Sequence, residues 1–378
     1  MSYVSYTTYK TYKTYKTYST YSTYTTYIYR LFIVRSNTLF PEKFLYCVRT
    51  FLPANVLMIK IFSYLQHFLL FLQAKSMNSI AMSSGVITDL SPVGMADIPM
   101  LKEFFKTYPS RSCDFSLGGV LMWRDYFDYH YAVAADSLFI IGKAPDSDTA
   151  IFYEPRGPLS LQQYEKMIRD YCNRRHIDGR MMITVENTPE APATATVEQP
   201  LVDDWREYLY DISHFEHFAG KKMEKKRNHL NFFNSHYPNA KIEEIEEKDI
   251  PELIAFTEEF NLRHDGSKLL HYENMATKGA LASYFVYGFT GIVIRIDGKV
   301  AGFTFGEPNG DTFFVHVEKG DIEYRGIYQA LSSAMARLVR KLLPEVAYLN
   351  REDDMGFEAL KSSKMSYHPT LFIDKRLL

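Results

Sequence analysis

The sequence predicts a mixed α/β fold (α+β, with mixed sheets) in two lobes, preceded by a segment that is not globular. Helical and strand-like apolar patterns alternate from about residue 82 to the C-terminus. The turn sequences Asp297–Gly298 and Pro308–Gly310 join three strand-like runs into an antiparallel meander. Of the 378 residues, 46% are hydrophobic and 23% are charged, which is an ordinary globular composition that can supply a core.

Residues 1–81 differ from the rest of the chain. Tyrosine recurs at every third position from Tyr3 to Tyr27, a period that fits neither a helix nor a half-buried strand, so we expect a low-complexity, disordered segment. An apolar run over 56–74 is interrupted by Lys60 and is a borderline candidate for a membrane span. The segment is a membrane anchor, a disordered tail, or translated upstream sequence that is not a genuine part of the protein. The abrupt change in composition at Met82 favours the last explanation.

Charge is distributed unevenly along the chain. Residues 1–81 contain nine Lys or Arg and one acid, whereas residues 82–378 contain 34 basic and 44 acidic residues. An acidic body has no general attraction for nucleic acid, so any anion must bind at a local basic cluster.

The cysteine spacing and the lack of one catalytic motif disfavour several classes of protein. Cys47, Cys113 and Cys172 include no Cys-x-x-Cys pair, so we expect neither a disulfide framework nor a metal site, and a reducing cytoplasm is the expected compartment. The sequence also has no Gly-x-Ser-x-Gly turn, which disfavours a serine hydrolase.

We predict two lobes that meet near residue 240. In the first, residues 82–239, the patterns predict helices over 96–108 and 161–174, a basic helix near 221–229, and strands over 129–134, 138–141, 150–153, 181–185 and 205–210. In the second, residues 240–378, they predict helices over 250–263, 273–287, 327–343 and 355–363, and strands over 241–245, 290–296, 300–306, 311–319, 346–349 and 367–373.

His316 and Glu318 are the candidate catalytic pair. They lie two apart in a predicted strand, so both side chains should project from one face of the sheet. A histidine beside a carboxylate can serve as general base and orienting group for an attacking amine or hydroxyl. The alternative is a hydrogen-bonded polar pair on a solvated sheet face.

Five basic residues between positions 221 and 227 form the candidate surface for phosphate groups. Lys222, Lys225 and Arg227 are its candidate donor-binding residues, because a local basic cluster attracts the phosphates of a partner such as a tRNA acceptor stem. The alternative is an ordinary solvated helix face.

Asn350, Glu352 and Asp353 follow a predicted strand and are candidates for recognising an acceptor or an amino group. Carboxylates in this position can bind a cationic amino acid such as a lysyl group, or a metal ion. They can also cap the next helix and favour its positive end.

The order of elements after residue 240 is similar to that of a GNAT acyltransferase lobe. The segments GKKMEKKRNH (220–229), HVEK (316–319), YRGIY (324–328) and NREDDMG (350–356) narrow the likeness. Together they resemble the family that shares the C-terminal domain of bacterial phosphatidylglycerol lysyltransferases, over about residues 85–378. The resemblance implies two GNAT-like lobes packed together, similar to the Fem-type peptidoglycan transferases. Members with known chemistry move an aminoacyl group from a charged tRNA to an acceptor.

The resemblance also implies a donor site at Tyr324, Arg325, Gly326 and Tyr328. In a GNAT lobe, a glycine-rich turn at this position holds the pyrophosphate of coenzyme A at a helix N-terminus. Here Gly326 is the only glycine of the turn. This indicates a modified site for a donor other than acetyl-CoA, or else an ordinary strand-to-helix turn.

We therefore expect a cytoplasmic bacterial transferase without a tightly bound cofactor. Its donor is an aminoacyl-tRNA or an acyl thioester such as acyl-CoA, and its acceptor is an amine or hydroxyl on a small molecule or a lipid. tRNA is the expected partner, and residues 82–378 are expected to contain no integral membrane domain. A CoA-dependent N-acetyltransferase and a non-catalytic binding protein on the same fold are the alternatives.

Residues 82–378 expressed alone should fold cooperatively and stay soluble, because the composition break and the complete α/β pattern both begin there. Urea unfolding followed by circular dichroism should show a single transition. Aggregation of this fragment, with the full chain still soluble, would show that residues 1–81 are an integral part of the fold.

Overall fold

A single mixed sheet of twelve strands forms the centre of the computed structural model, which describes residues 85–143, 147–189, 205–262 and 268–378. The predictions for residues 1–81 lie outside the described residues. The strands are β1 (Ser91–Pro92), β2 (His130–Ala134), β3 (Ser137–Gly142), β4 (Ala150–Tyr153), β5 (Gly179–Asn187), β6 (Glu207–Asp211), β7 (Lys241–Glu244), β8 (Thr290–Ile296), β9 (Lys299–Asn309), β10 (Thr312–Gly320), β11 (Tyr348–Asn350) and β12 (Leu371–Leu377). Their order across the sheet is β1-β2-β3-β4-β5-β12-β6-β11-β10-β9-β8-β7.

Ten α-helices in the described residues pack against this sheet, which confirms the predicted mixed α/β fold. They are α1 (Ile98–Thr107), α2 (Leu117–Trp123), α3 (Leu161–Arg175), α4 (Ser213–His217), α5 (Glu224–His236), α6 (Ile250–Leu262), α7 (Lys268–Ala282), α8 (Tyr284–Tyr287), α9 (Ile327–Leu342) and α10 (Glu358–Met365). Among the described residues, no helix has both the length and the apolarity needed to cross a bilayer. The helix predicted over 273–287 is two helices, α7 and α8, separated at Ser283.

The predicted meander of β8, β9 and β10 is confirmed. Asp297 and Gly298 both have positive φ, as a tight two-residue hairpin requires, and Gly310 has positive φ in the second turn. Alternation along the strands gives each face its own core. Val293, Phe303 and other side chains of one face pack with α6 and α7, whereas those of the opposite face pack with α9.

The C-terminal strand β12 joins the two halves of the sheet. Its first residues, Leu371–Ile373, pair with β6, and Phe372–Leu377 pair with β5. Strand β6 also pairs with β11, and helix α5 packs against α9. Elements that precede residue 240 therefore contribute to the core around α9, and the lobe boundary at residues 239–240 stays a prediction.

A β-bulge interrupts the pairing of β10 with β9. Val315 pairs with Gly306 and Val317 with Phe305, so His316 is an extra residue without a pairing partner. A bulge of this kind shifts the residues beyond it by one position, which reverses the face on which they project. The expectation that His316 and Glu318 share a face is therefore wrong.

Gly326 and Gly298 allow a test of how closely α5 packs on the start of α9. Both have positive φ, but a Cβ at Gly298 would meet nothing, whereas a Cβ at Gly326 would overlap with the backbone carbonyl of His229 in α5. Gly298→Ala should lower the free energy of unfolding by about 1 to 2 kcal/mol through backbone strain alone. Gly326→Ala should lower it by about 3 kcal/mol or more, because overlap is added to strain. Equal losses in urea unfolding would contradict the close packing of α5.

Candidate active site

His316 lies buried between two carboxylates. Its Nδ1 is 2.7 Å from Oε1 of Glu352, and its Nε2 is 3.0 Å from Oε1 of Glu307. The side chain is 1% exposed. Burial alone would lower the pKa of His316, but the hydrogen bonds to Glu307 and Glu352 raise it to about 9. The ring is therefore an imidazolium near pH 7, with both nitrogens donating.

Helix α2 packs against both His316 and Glu307. The backbone N–H of Gly118 donates to the same Glu307 oxygen at 2.5 Å. A side chain at residue 118 would overlap with the His316 ring, so the absence of a Cβ is what lets α2 approach. Glu307 is a site residue that the sequence analysis missed. The feature of the sequence that could have indicated Glu307 is its position, as a carboxylate near the end of the apolar strand β9.

Glu318 lies on the opposite side of β10 from His316. Its carboxylate accepts from Nη2 of Arg351 at 2.7 Å and from Oγ of Ser332 in α9 at 2.9 Å. The predicted pair is thus separated into two clusters, one against α2 and one against α9. The catalytic role of each residue stays a prediction, but they do not act on each other directly.

A cavity of about 90 Å³ lies beside Glu352 and Asp353. Five aromatic side chains and several polar ones form its wall, namely Trp123, Phe127, Tyr129, Tyr153 and Trp205 with Cys113, Asp114, Glu352, Asp353 and Lys375. Typical binding pockets for whole small molecules are several times larger, so this cavity has room only for part of such a molecule. Trp123 and Trp205 are the only tryptophans of the chain, and that rarity was the sequence signal for this wall.

The loop that carries the cavity carboxylates is held by one buried lysine. Lys364, from helix α10, donates its ammonium to the backbone carbonyls of Arg351 at 2.5 Å and Glu352 at 3.1 Å, and to that of Asp353. Glu352 has a φ of 58°, an unfavourable value for a residue with a side chain. Such a conformation persists only where the surroundings hold it, and Lys364 supplies that support.

Asp353 is the cavity carboxyl with a pKa near neutrality. Burial, which outweighs the nearby charge of Lys364, raises the pKa of Asp353 to about 7. Its Oδ1 accepts from the backbone N–H of Met355 at 3.0 Å. Because the predicted residues Glu352 and Asp353 both line the cavity, they lie where an amino group or acceptor could meet them.

Asn350, the third member of that predicted group, positions the others. Its Nδ2 donates to Glu207 Oε2 at 2.5 Å and to the Arg111 carbonyl at 2.7 Å, and its Oδ1 accepts from Glu352 N–H at 2.7 Å. The side chain is fully buried. Its hydrogen bonds are thus all used within the fold, and recognition of a substrate by Asn350 stays a prediction.

A buried ion cluster forms the floor of the cavity. The Lys375 ammonium donates to Ser112 Oγ at 2.7 Å, lies 2.5 Å from Glu207 Oε1 and pairs with Asp114. Burial would lower the pKa of Lys375, but Asp114 and Glu207 raise it above its usual value. Cys113, Asp114 and Glu207 lie close together, as in a metal-ligand set. Since Lys375 already supplies positive charge to the two carboxylates, their closeness does not require a metal ion.

The predicted phosphate-binding residues have different surroundings. Helix α5 begins at Glu224, so Lys222 lies in the turn before it, and Lys222 and Lys225 are exposed. Arg227 instead donates to the backbone carbonyls of Phe218 at 2.7 Å and Gly220 at 2.9 Å, which ties down that turn. Its role in binding a donor stays a prediction, and the observed contacts are structural.

The predicted donor turn packs against α5. Tyr324 contacts Tyr237, with ring centroids 5.5 Å apart, and the Arg325 guanidinium lies 4.3 Å from the ring centroid of Phe232. Gly326 is the N-cap of α9 and needs its positive φ there. Burial raises the pKa of Tyr328 to about 12. These packing contacts explain the conformation of the turn without a ligand. Donor binding by the turn stays a prediction.

His316 should make the free energy of unfolding depend on pH. Its folded-state pKa of about 9 lies above the ordinary 6.5, so the ion pairs contribute fully below pH 6.5 and their contribution is lost as pH rises through 9. The full contribution is about 3 kcal/mol. His316→Gln should remove this dependence in urea unfolding between pH 6 and 10, whereas the exposed His214→Gln should retain it. An unchanged pH profile in His316→Gln would show that the imidazolium is not paired.

Comparison with known proteins identifies the family of this chain. The model of the phosphatidylglycerol lysyltransferase C-terminal domain matches residues 105–376. A conserved protein of unknown function from Bacteroides thetaiotaomicron VPI-5482 has 26% identity and a TM-score of 0.67, with 78% of this chain and 100% of that chain covered. L-PGS from Bacillus licheniformis has 13% identity and a TM-score of 0.50, with 74% and 90% covered, which shows a shared fold.

One curated relative is similar in sequence over part of its length. The uncharacterized protein MYCGA3080 of Mycoplasmoides gallisepticum is 32% identical over 175 residues, which is 45% of this chain and 54% of that protein. This chain thus matches about half the length of that relative. The family model, however, extends over most of the described residues, and the resemblance seen in the motifs is confirmed. This chain belongs to the family of the phosphatidylglycerol lysyltransferase C-terminal domain.

Proposed function

We propose that the protein transfers an acyl or aminoacyl group from an activated donor to an amine or hydroxyl acceptor, with Asp353 accepting the proton. The observation that carries this proposal is a partly buried carboxyl on the cavity wall with a pKa of about 7. In acyl transfer, the attacking nitrogen or oxygen forms a bond to the donor carbonyl, loses its proton, and the leaving group departs. A base whose pKa is near the working pH assists that step best.

The charge of the cavity favours an aminoacyl over an acetyl group. Among the side chains that line the cavity, three carboxyls, those of Asp114, Glu352 and Asp353, stand against one ammonium, that of Lys375, and five aromatic rings lie beside them. The His316 imidazolium neutralises Glu352 from outside the cavity, which leaves two carboxyls for Lys375. A carboxylate and aromatic faces both attract an ammonium group. The uncharged methyl group of acetyl-CoA offers nothing for these groups to bind. The proposed donor is therefore an aminoacyl-tRNA, with an acyl thioester as the second arm of the test.

His316 and Glu352 act together in this proposal. The imidazolium holds the Glu352 carboxylate at 2.7 Å, and Glu352 is 20% exposed, whereas His316 is 1% exposed. Glu352 is therefore the member of the pair that reaches a substrate, and His316 is a positioning residue. With an aminoacyl-tRNA donor, tRNA is the proposed partner and the bacterial cytoplasm is the proposed location. The acceptor is a small molecule or a lipid bearing an amine or hydroxyl.

Transfer assays with the full chain test this function. Labelled aminoacyl-tRNAs and labelled acetyl-CoA are offered with amine, hydroxyl and lipid acceptors. We expect aminoacyl transfer whose rate rises through about pH 7, in keeping with the pKa of Asp353. Asp353→Asn should reduce the rate by about 10² to 10⁴, while Glu358→Gln, an exposed carboxyl on α10, should not. An Asp353→Asn protein with the wild-type rate and pH profile would refute the assignment.

A further inference from the structure

On the α9 side of β10, the single carboxylate of Glu318 lies near two positively charged side chains. Arg351 pairs with it at 2.7 Å. Lys226, from the first turn of α5, lies near both, yet it makes no ion pair with any carboxylate in the described residues. The cluster therefore has two cations and one anion, in contrast to the acidic cavity on the other side.

Both cations lie against one aromatic ring. The Lys226 ammonium is 3.7 Å and the Arg351 guanidinium 4.8 Å from the ring centroid of Tyr367. Lys226 donates one hydrogen bond, to Ser366 Oγ at 2.7 Å, and an ammonium has two further N–H groups. Nη1 of Arg351 is buried and makes no hydrogen bond among the described residues, so its support comes from the Glu318 charge and the Tyr367 side chain.

This arrangement is costly without a further anion. Burial, and then the like charge of Arg351, lower the pKa of Lys226 to about 8. A half-buried ammonium beside a guanidinium gains from an acceptor with several oxygens, whose negative charge would also offset that of the guanidinium. Lys226 borders exposed Ser366, which gives such a group access from solvent.

We propose that Lys226 and Arg351 bind a phosphate group of the donor substrate. Phosphate oxygens suit a combined arginine and lysine site, and both proposed donor types, aminoacyl-tRNA and acyl-CoA, carry phosphates. Arg351 is adjacent in sequence to Glu352, so the phosphate site and the cavity share one backbone segment. The identity of the ligand as a donor rests on the proposed function, whereas the anion site itself does not.

This site differs from the exposed lysines that the sequence analysis favoured. Lys222 and Lys225 are exposed and form no enclosed pair with another cation. Exposed lysines attract a polyanion over a distance, and salt screens that attraction. Lys226 and Arg351 instead offer fixed donors on one aromatic surface, which is what a defined phosphate site requires.

The probe is inorganic phosphate, titrated at constant ionic strength into the wild-type full chain and into Lys226→Gln, Lys226→Arg and Lys341→Gln variants; Lys341 is exposed near the end of α9. We expect phosphate to bind wild type, Lys341→Gln and Lys226→Arg with similar dissociation constants. Lys226→Gln should bind at least about tenfold more weakly, the loss expected for one charged contact. Equal phosphate affinity in Lys226→Gln and Lys341→Gln, or no binding to any of the folded proteins, would overturn the proposal.

A second measurement reads the same site without a variant. Uniform ¹³C labelling leaves the ammonium donors intact, and the pKa of Lys226 can then be followed by NMR through its Cε signal. Bound phosphate should raise that pKa from about 8 towards its ordinary 10.5, while the signal of the exposed Lys341 should not respond. A Lys226 pKa that is insensitive to phosphate would overturn the proposal.

Two further arms identify the source of the phosphate. Coenzyme A and a short RNA that ends in CCA are each titrated into wild type and Lys226→Gln. Binding that depends on Lys226 for either one supports the site and names the donor class. Asp353→Asn should bind phosphate as the wild type does, because Asp353 lies in the cavity and not at the phosphate site. A failed transfer assay therefore does not contradict the phosphate site, and a failed phosphate titration does not contradict the transfer function.

Discussion

Pairing of the His316 imidazolium with two buried carboxylates depends on one extra residue in strand β10. The bulge turns His316 and Val317 towards α2 and α7, and it sends Glu318 to the α9 side. A regular strand would have placed His316 and Glu318 on one face, with three carboxylates and three cations competing in one cluster. The bulge separates them into an acidic site and a basic site on the two sides of a single strand.

The same separation gives the segment after β11 two functions. Arg351 points to Glu318 on the α9 side, and Glu352 points to His316 on the α2 side. Successive residues can reach opposite sides because the backbone there is extended and then turns at the positive φ of Glu352. Lys364 holds the three carbonyls of this segment, so the geometry of both clusters depends on one buried ammonium.

Charge pairing also joins the halves of the sheet. Lys375 in β12 lies among Asp114, which precedes α2, and Glu207 in β6. Two buried carboxylates with one ammonium leave an excess negative charge, and burial together with Glu207 raises the pKa of Asp114, although Lys375 opposes this shift. Removing a single partner from such a cluster would leave an uncompensated buried charge, which costs far more than an exposed ion pair contributes. The cavity floor is therefore expected to be rigid.

The features of this protein that could be predicted from its residues are local ones. The meander followed from turn residues and period-2 alternation, helix α9 from its apolar face, and the family from four short motifs. These signals depend on neighbours a few residues apart, so they can be found along the chain. Glu352 and Asp353 lie in one of those motifs, and both line the cavity, but their role in recognition stays a prediction.

Which charges are buried, and which groups they face, could be learned only from the folded chain. The bulge at His316 places Glu318 on the opposite face of β10 from His316. The close packing of α5 explains why residue 326 is glycine, and Arg227 donates to the backbone carbonyl of Gly220. The pKa of Asp353 and the unmatched charge of Lys226 likewise arise from residues far away in the chain. Burial and ion pairing are set by all the elements that meet at a point, and no local pattern of residues encodes that meeting.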